Sequence, residues 1–281
     1  MQQLSSAKLK VGLMGEGIQS SRSPSLHMGE AQALGLNLDY ELIDFDNIPG
    51  GHAMFESVLA DRQKRGYLGV NVTHPFKQTV VGLLDELSPD AAEMGSVNTV
   101  VFRNGRRMGF NTDWSGYAEA FRREFSDVGL ARVVQLGAGG AGVAVAYALL
   151  KLGTGHLVLF DLDQERGRAA VGALAKLFPG RVYLGADLAA EIASADGLVN
   201  CTPVGMAKYP GLPLPEALLR PSLWVSDVVY FPLETELLKK ARALGARTLN
   251  GSGMNIFQGA QAFALFTGVQ PDQERMLARF S

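Results

Sequence analysis

Residues 133–142 read VVQLGAGGAG and residues 157–163 read LVLFDLD. An apolar strand runs into Gly137, Gly139 and Gly142 in the G-x-G-x-x-G spacing. A helix of small residues follows, then a second strand ending in acid. Gly137 permits a tight strand-to-helix turn, Gly139 lets backbone approach a pyrophosphate, and Gly142 lets helix and strand pack closely. Ala138, Gly140 and Ala141 complete the turn, and the unpaired N–H groups of the helix start suit a phosphate. The stretch predicts a doubly wound α/β unit that binds a dinucleotide.

Asp161 closes the second strand, where its carboxylate can accept from ribose hydroxyls and repel the extra phosphate of NADP. NAD is therefore the expected cofactor. Leu162, Asp163 and Arg166 lie in the loop that follows. Arg166 can reach the adenine or a phosphate, which leaves some NADP use open.

The 281 residues suffice for two domains, and 47% hydrophobic with 19% charged content describes an ordinary globular chain. A net charge of −2 offers no basic field for nucleic acid and no polybasic membrane patch. The single cysteine, Cys201, rules out an intrachain disulfide framework and a thiolate metal cluster. The start MQQLSSAKLKVGLMG lacks the pattern of a secretory signal, and no apolar run is long enough to span a membrane. A cytoplasmic protein, monomer or homodimer, is expected.

Before the glycine turn, residues 10–15, 38–45 and 67–73 read as strands, with helices over 24–35 and 53–65. HPFKQTVVGLLDEL, at 74–87, carries helical periodicity, and residues 97–113 read as a hairpin around Asn104-Gly105. Trp114, Tyr117, Ala118, Phe121 and Phe125 mark one face of a linking helix. Beyond it, strands near 133–136, 157–160, 181–184, 197–200 and 224–228 alternate with helices, the signature of a parallel sheet. Residues 203–221 hold five prolines and read as a loop; residues 255–267 read as a final apolar helix. The expected division is a substrate-binding and catalytic domain over 1–113, a Rossmann-type domain over 114–250, and a C-terminal helical segment, 251–281, that completes the cleft.

Four polar clusters lie at strand ends: SSRSPSLH at 20–27, NVTHPFK at 71–77, VNT at 97–99 and NTD at 111–113. Oxidising an alcohol needs hydride loss from carbon and proton loss from oxygen. Lys77 can accept the hydroxyl proton when local electrostatics favour its neutral form, and Asp113 can orient it. Asp113 can equally cap the helix that follows. Ser21 and Ser23 can donate to a carboxylate, while Asn71, Thr73 and Asn98 can recognise ring hydroxyls. Turn and cap chemistry explains the same residue types. His27 and His74 form no convincing metal pair, and no metal is expected.

In this order the motifs SSRSPSLH, NVTHPFKQ, GSVNTVV, GFNTDWSG, VQLGAGGAG, NCTPVGM, SDVVYFPLETELL and GSGMNIFQGAQAF span nearly the whole chain. Together they resemble the shikimate dehydrogenase superfamily, and within it the NAD-using quinate/shikimate branch. The resemblance implies a carboxylate clamp at Ser21 and Ser23, with ring-hydroxyl contacts at Asn71, Thr73, Asn98, Asp113 and Gln258. It implies Lys77 as acid/base, paired with Asp113, in oxidation of the shikimate 3-hydroxyl to 3-dehydroshikimate. Thr202, Pro203, Val204 and Met206 are then expected on the nicotinamide side, with Val228, Tyr230, Gly251 and Met254 as further contacts. Ordinary sheet-end packing is the alternative account of that group.

The chain departs from biosynthetic relatives in Ser20, Met28, Gln78 and Asn255, which stand where those carry histidine, asparagine, glutamate and an apolar residue. Its Asp161 loop also replaces their asparagine-arginine-threonine pattern. Ser23, where quinate-using relatives often carry threonine, resembles the shikimate-preferring members. The substrate expected is a small polar cyclic carboxylic acid: shikimate first, with quinate and an aminoshikimate as alternatives. The contrasting class is a non-catalytic NAD-binding sensor, against which the retention of Lys77, Asp113 and both serines argues.

Overall fold

The structure, a computed structural model, describes residues 8–279. Among them, residues up to Thr112 together with those from Ile256 onward form one compact unit, and Asp113–Asn255 form a second. Both are α/β.

The first unit is built on a six-stranded mixed sheet. Its strands are β1 (Leu9–Gly15), β2 (Leu38–Asp44), β3 (Gly69–Val72), β4 (Glu86–Leu87), β5 (Thr99–Arg103) and β6 (Arg106–Phe110), in the order β2-β1-β3-β5-β6-β4. β1 runs parallel to β2 and β3, with Val11 opposite both Tyr40 and Gly69. A strand so enclosed reads as an apolar run, which is why LKVGLMG shows little alternation. The β5–β6 hairpin turns at Asn104 (φ 52°) and Gly105 (φ 77°), the left-handed pair that a two-residue connection needs.

The helices of this unit are α1 (Ser23–Ala33), α2 (Phe55–Lys64) and α3 (Pro89–Met94), with two more from the C-terminal segment described below. HPFKQTVVGLLDEL does not form the expected helix. Residues 74–78 turn, Thr79–Leu83 make a 3-10 turn, and β4 follows. Its apolar residues are drawn into the core from irregular backbone: Phe76 and Val80 are buried with Phe45, Phe55 and Val97. Tertiary burial has overridden the local period.

The second unit holds β7 (Arg132–Leu136), β8 (His156–Phe160), β9 (Val182–Leu184), β10 (Gly197–Asn200), β11 (Trp224–Asp227) and β12 (Thr248–Leu249). All pair in parallel in the order β12-β11-β10-β7-β8-β9. This is the strand order of the doubly wound dinucleotide-binding fold. Its helices are α4 (Asp113–Glu124), α5 (Gly140–Lys151), α6 (Gln164–Leu177), α7 (Leu188–Ala193) and α8 (Glu236–Ala243). The helix α4 is no bare linker, because Phe121 and Phe125 pack on the Trp224 ring at 5.1 and 5.4 Å.

The helix α9 (Ser252–Thr267) starts earlier than the periodicity suggests, and α10 (Gln273–Ala278) follows. Ala262, Phe263 and Phe266 of α9 share a core with Val11, Leu13 and Tyr40, which assigns this segment to the first unit. The fully buried carboxylate of Glu30 on α1 fastens α10: it accepts from Arg275 Nε and Nη2 at 2.9 and 2.6 Å and from Asp272 N at 2.7 Å. Among the described residues no helix is long and apolar enough to cross a membrane.

Candidate functional site

At the end of β7 the glycine spacing acts as steric logic demands. Gly137 adopts φ +92°, and a Cβ there would sit 2.8 Å from the Cys201 carbonyl oxygen. A Cβ on Gly142 would meet the Gly137 carbonyl oxygen at 2.3 Å, whereas one on Gly139 would point into open space. That open side is where a pyrophosphate needs room. Gly139 precedes α5 with no side-chain cap, so the first-turn N–H groups of α5 are left for another acceptor. These residues fit a dinucleotide phosphate.

The turn has an internal brace. Gln135, fully buried on β7, donates from Nε2 to the carbonyl oxygens of Gly137 (2.9 Å) and Gly142 (2.8 Å). In the sequence Gln135 shows only as a polar residue in an apolar strand, and strand polarity alone has no direction.

Asp161 stands at the end of β8 with its side chain only 3% exposed. One oxygen accepts from Ala138 N (2.7 Å) and Arg166 Nε (3.1 Å), the other from Asp163 N (2.8 Å) and Arg166 Nη2 (2.6 Å). Burial alone would raise its pKa, but the Arg166 guanidinium and the two backbone donors outweigh it and hold the carboxyl below its ordinary range. The acid is thus tied to the phosphate turn through Ala138. Leu162 beside it is fully exposed, and Asp163 caps α6 by accepting from Glu165 N and Arg166 N.

The ends of β10 and β11 share a polar network. Asn200 Nδ2 donates to Val204 O (2.9 Å) and Asp227 Oδ1 (3.0 Å), and its Oδ1 accepts from Thr202 N and Oγ1. Asp227, 1% exposed, also accepts from Val229 N (3.0 Å) and Thr235 Oγ1 (2.7 Å). Burial outweighs these bonds and pushes its carboxyl up to about 6. Burial and the neighbouring Asp227 charge push the Cys201 thiol well above its ordinary range, which leaves it a poor nucleophile. Pro203 and Met206 are exposed in the loop after β10. Val228 and Gly251 lie back to back, since a Cβ on Gly251 would sit 2.3 Å from the Val228 carbonyl oxygen. Met254 is buried and Tyr230 is 45% exposed.

In the first unit the predicted polar clusters converge on strand ends. Ser21 Oγ donates to Ser23 Oγ, at the first residue of α1, across 3.2 Å, so the two hydroxyls form one small polar patch. The loop after β1 is bound to the turn after β3 through Thr73 N to Met14 O (3.0 Å) and Glu16 N to His74 O (3.0 Å). Lys77 is half-buried in that turn, and its carbonyl accepts from Val97 N at 2.9 Å. Asp113 is buried as the first residue of α4 and of the second unit, directly after Thr112.

A buried row of hydrogen bonds crosses these strand ends. Tyr40 Oη donates to Asn71 Oδ1 (2.9 Å), Asn71 Nδ2 to Thr99 Oγ1 (3.0 Å), and Thr99 Oγ1 to Asn98 Oδ1 (3.0 Å). Asn98 Nδ2 donates to Thr112 Oγ1 (3.0 Å), and Thr112 Oγ1 to Gln258 Oε1 (3.4 Å). The row is cross-linked at its far end, where Thr112 Oγ1 also lies 3.2 Å from Asn98 Oδ1 and Asn98 Nδ2 lies 3.4 Å from Gln258 Oε1, so neighbouring carboxamides and hydroxyls hold one another in place. Asn71, Asn98 and Gln258 were expected here. Tyr40, Thr99 and Thr112 were not singled out, although the two threonines fall inside the quoted clusters. Tyr40 reads as one of several alternating strand residues and only the register with β1 and β3 reveals it.

His27 is buried against the Tyr40 ring at 4.8 Å, and burial drives its pKa down to about 3, so it packs as a neutral ring. His74 is exposed. Among the described residues no three His, Cys, Asp or Glu side chains gather to hold a metal ion.

Residues 13–100 match the shikimate dehydrogenase substrate binding domain. The NADP(+)-dependent shikimate dehydrogenase of Streptomyces avermitilis is 51% identical over 271 residues, covering 95% of this chain and 93% of that one. The NAD(+)-dependent quinate/shikimate dehydrogenase of Corynebacterium efficiens is 44% identical over 274 residues, covering 96% of each. Quinate dehydrogenase from Corynebacterium glutamicum, solved in complex with NAD, superposes with a TM-score of 0.94 at 41% identity, over 98% of this chain and 99% of that one. The chain belongs to the shikimate dehydrogenase family, and is an oxidoreductase that joins that family's substrate-binding domain to a nicotinamide-cofactor-binding Rossmann unit.

Proposed function

We propose that the protein reversibly oxidises the 3-hydroxyl of shikimate to 3-dehydroshikimate, using NAD. The observation that carries this reading is the oriented polar row from Asn71 to Gln258, set at the same strand ends as the Lys77 turn. An apolar core has no use for five carboxamide and hydroxyl side chains in series, whereas a polyhydroxylated ring needs such a surface. The paired hydroxyls of Ser21 and Ser23 suit the ring carboxylate. Lys77 takes the hydroxyl proton during oxidation and returns it during reduction, and Asp113 orients the ammonium. The nicotinamide supplies the hydride acceptor.

Asp161 supports NAD, because its carboxylate lies beside the phosphate turn where a ribose 2′-phosphate would bring a second negative charge. Arg166 supports a second reading, NADP use, since its guanidinium is half exposed and can pair with a phosphate. Relatives of both cofactor types stand at similar identity. The test is a matrix of kcat/KM values for shikimate, quinate and aminoshikimate, each with NAD and NADP. The shikimate–NAD pair should lead; a higher value for quinate or for NADP would reassign substrate or cofactor, and no turnover in any cell would favour a sensor.

A further inference from the structure

The loop after β11 leaves and returns at a single carboxylate. Asp227 Oδ1 accepts from Val229 N, at the start of the loop, and Oδ2 accepts from Thr235 Oγ1, at its end. Thr235 also opens α8, accepting from Leu238 N. Through Asn200 the same carboxylate reaches the loop after β10, because one Asn200 amide nitrogen serves both Asp227 Oδ1 and Val204 O. Gly205 presses on this group from the side: a Cβ there would lie 3.3 Å from Thr235 Cγ2. Between the fastened ends, Tyr230 and Phe231 are 45% and 59% exposed. The tip therefore gains little from burial, and the course of the loop is set at its neck. A buried carboxylate is an expensive fastener, and a carboxamide or a hydrophobic contact would serve stability better.

We propose that Asp227 is a positioning residue for the nicotinamide end of the cofactor site, clasping the loops after β10 and β11 into one fixed wall. The proposal rests on the reading that Thr202–Met206 and Val228–Tyr230 flank the nicotinamide. Two oxygens facing three fixed donors give the neck one geometry, so the wall is set before cofactor arrives. The adenosine and phosphate subsites, at Gly137–Gly142 and Asp161, share no hydrogen bond with the clasp.

The test compares NAD with ADP-ribose, which lacks the nicotinamide, by calorimetry on the full chain. In Asp227→Ala the Kd for NAD should rise about tenfold and kcat should fall at least as much, the loss of a charge-assisted bond. The Kd for ADP-ribose should stay within about twofold, which also reports that the unit remains folded. Thr235→Val should follow Asp227→Ala, and Thr235→Ser, which keeps the hydroxyl, should restore the native ratio of the two affinities. Should Asp227→Ala not fold, the Thr235 pair decides alone. An unchanged NAD to ADP-ribose ratio in Thr235→Val, or equal weakening of both ligands, overturns the clasp. If the native protein binds neither ligand, the dinucleotide reading beneath it falls as well.

Discussion

Arg166 grips Asp161 with two nitrogens, Nη2 at 2.6 Å and Nε at 3.1 Å, so the acid expected to choose the cofactor meets its own counter-charge five residues on. Removing each partner should move cofactor preference in opposite directions. Asp161→Ala frees the guanidinium for a 2′-phosphate and should lower the NAD to NADP ratio of kcat/KM by about tenfold to a hundredfold. Arg166→Ala frees the carboxylate for ribose hydroxyls and should raise that ratio. Parallel shifts in the two variants would place cofactor choice elsewhere.

The brace at Gln135 makes a different forecast. Gln135→Leu keeps the volume but leaves the Gly137 and Gly142 carbonyls without their shared donor. Each net bond contributes about 1 kcal/mol, so a lower Tm is expected. Because the brace acts on the phosphate turn, NAD and ADP-ribose should weaken together, by a few-fold each. Selective loss of NAD alone would contradict this placement.

Lys77→Ala should lower kcat by about a hundredfold to ten-thousandfold, the range of a lost general acid/base, while the Kd for NAD stays near its native value. Asp113→Asn should lower kcat less, because the carboxamide can still accept from an ammonium. Turnover unchanged in Lys77→Ala would remove lysine from the chemistry.

The parts of this architecture that were legible share one property: their signals are local. G-x-G-x-x-G, the Asn104-Gly105 turn and the apolar strands state their geometry within a few residues, and the structure follows them. Residues 74–87 depart from their helical period because VVGLL fits an amphipathic helix and a buried irregular turn equally well, and only the core decides. The site-building pairs were harder. Thr235 belongs with Asp227 only because a loop leaves and returns, and Tyr40 meets Asn71 only through strand register. Such relations are invisible to spacing.

Asp227 should also leave a mark on stability as a function of pH. Its folded pKa, raised by burial to about 6, stands above the unfolded value of 3.8. Between these limits the folded state binds more protons than the unfolded state, so stability falls as pH rises from about 4 to about 6. Above that window the full penalty is present, on the order of 3 kcal/mol. Asp227→Asn can keep donors and acceptors paired, its Oδ1 facing Asn200 and Val229 and its Nδ2 facing Thr235, without the buried charge. Urea denaturation at pH 4, 5, 6 and 7 should show the variant gaining stability over the native protein as pH rises, by roughly 1–3 kcal/mol at pH 7. The same substitution should leave kcat below native, because a neutral acceptor holds the loop neck more weakly. A stability difference that stays flat across the four pH values would mean that Asp227 carries no raised pKa in the folded protein.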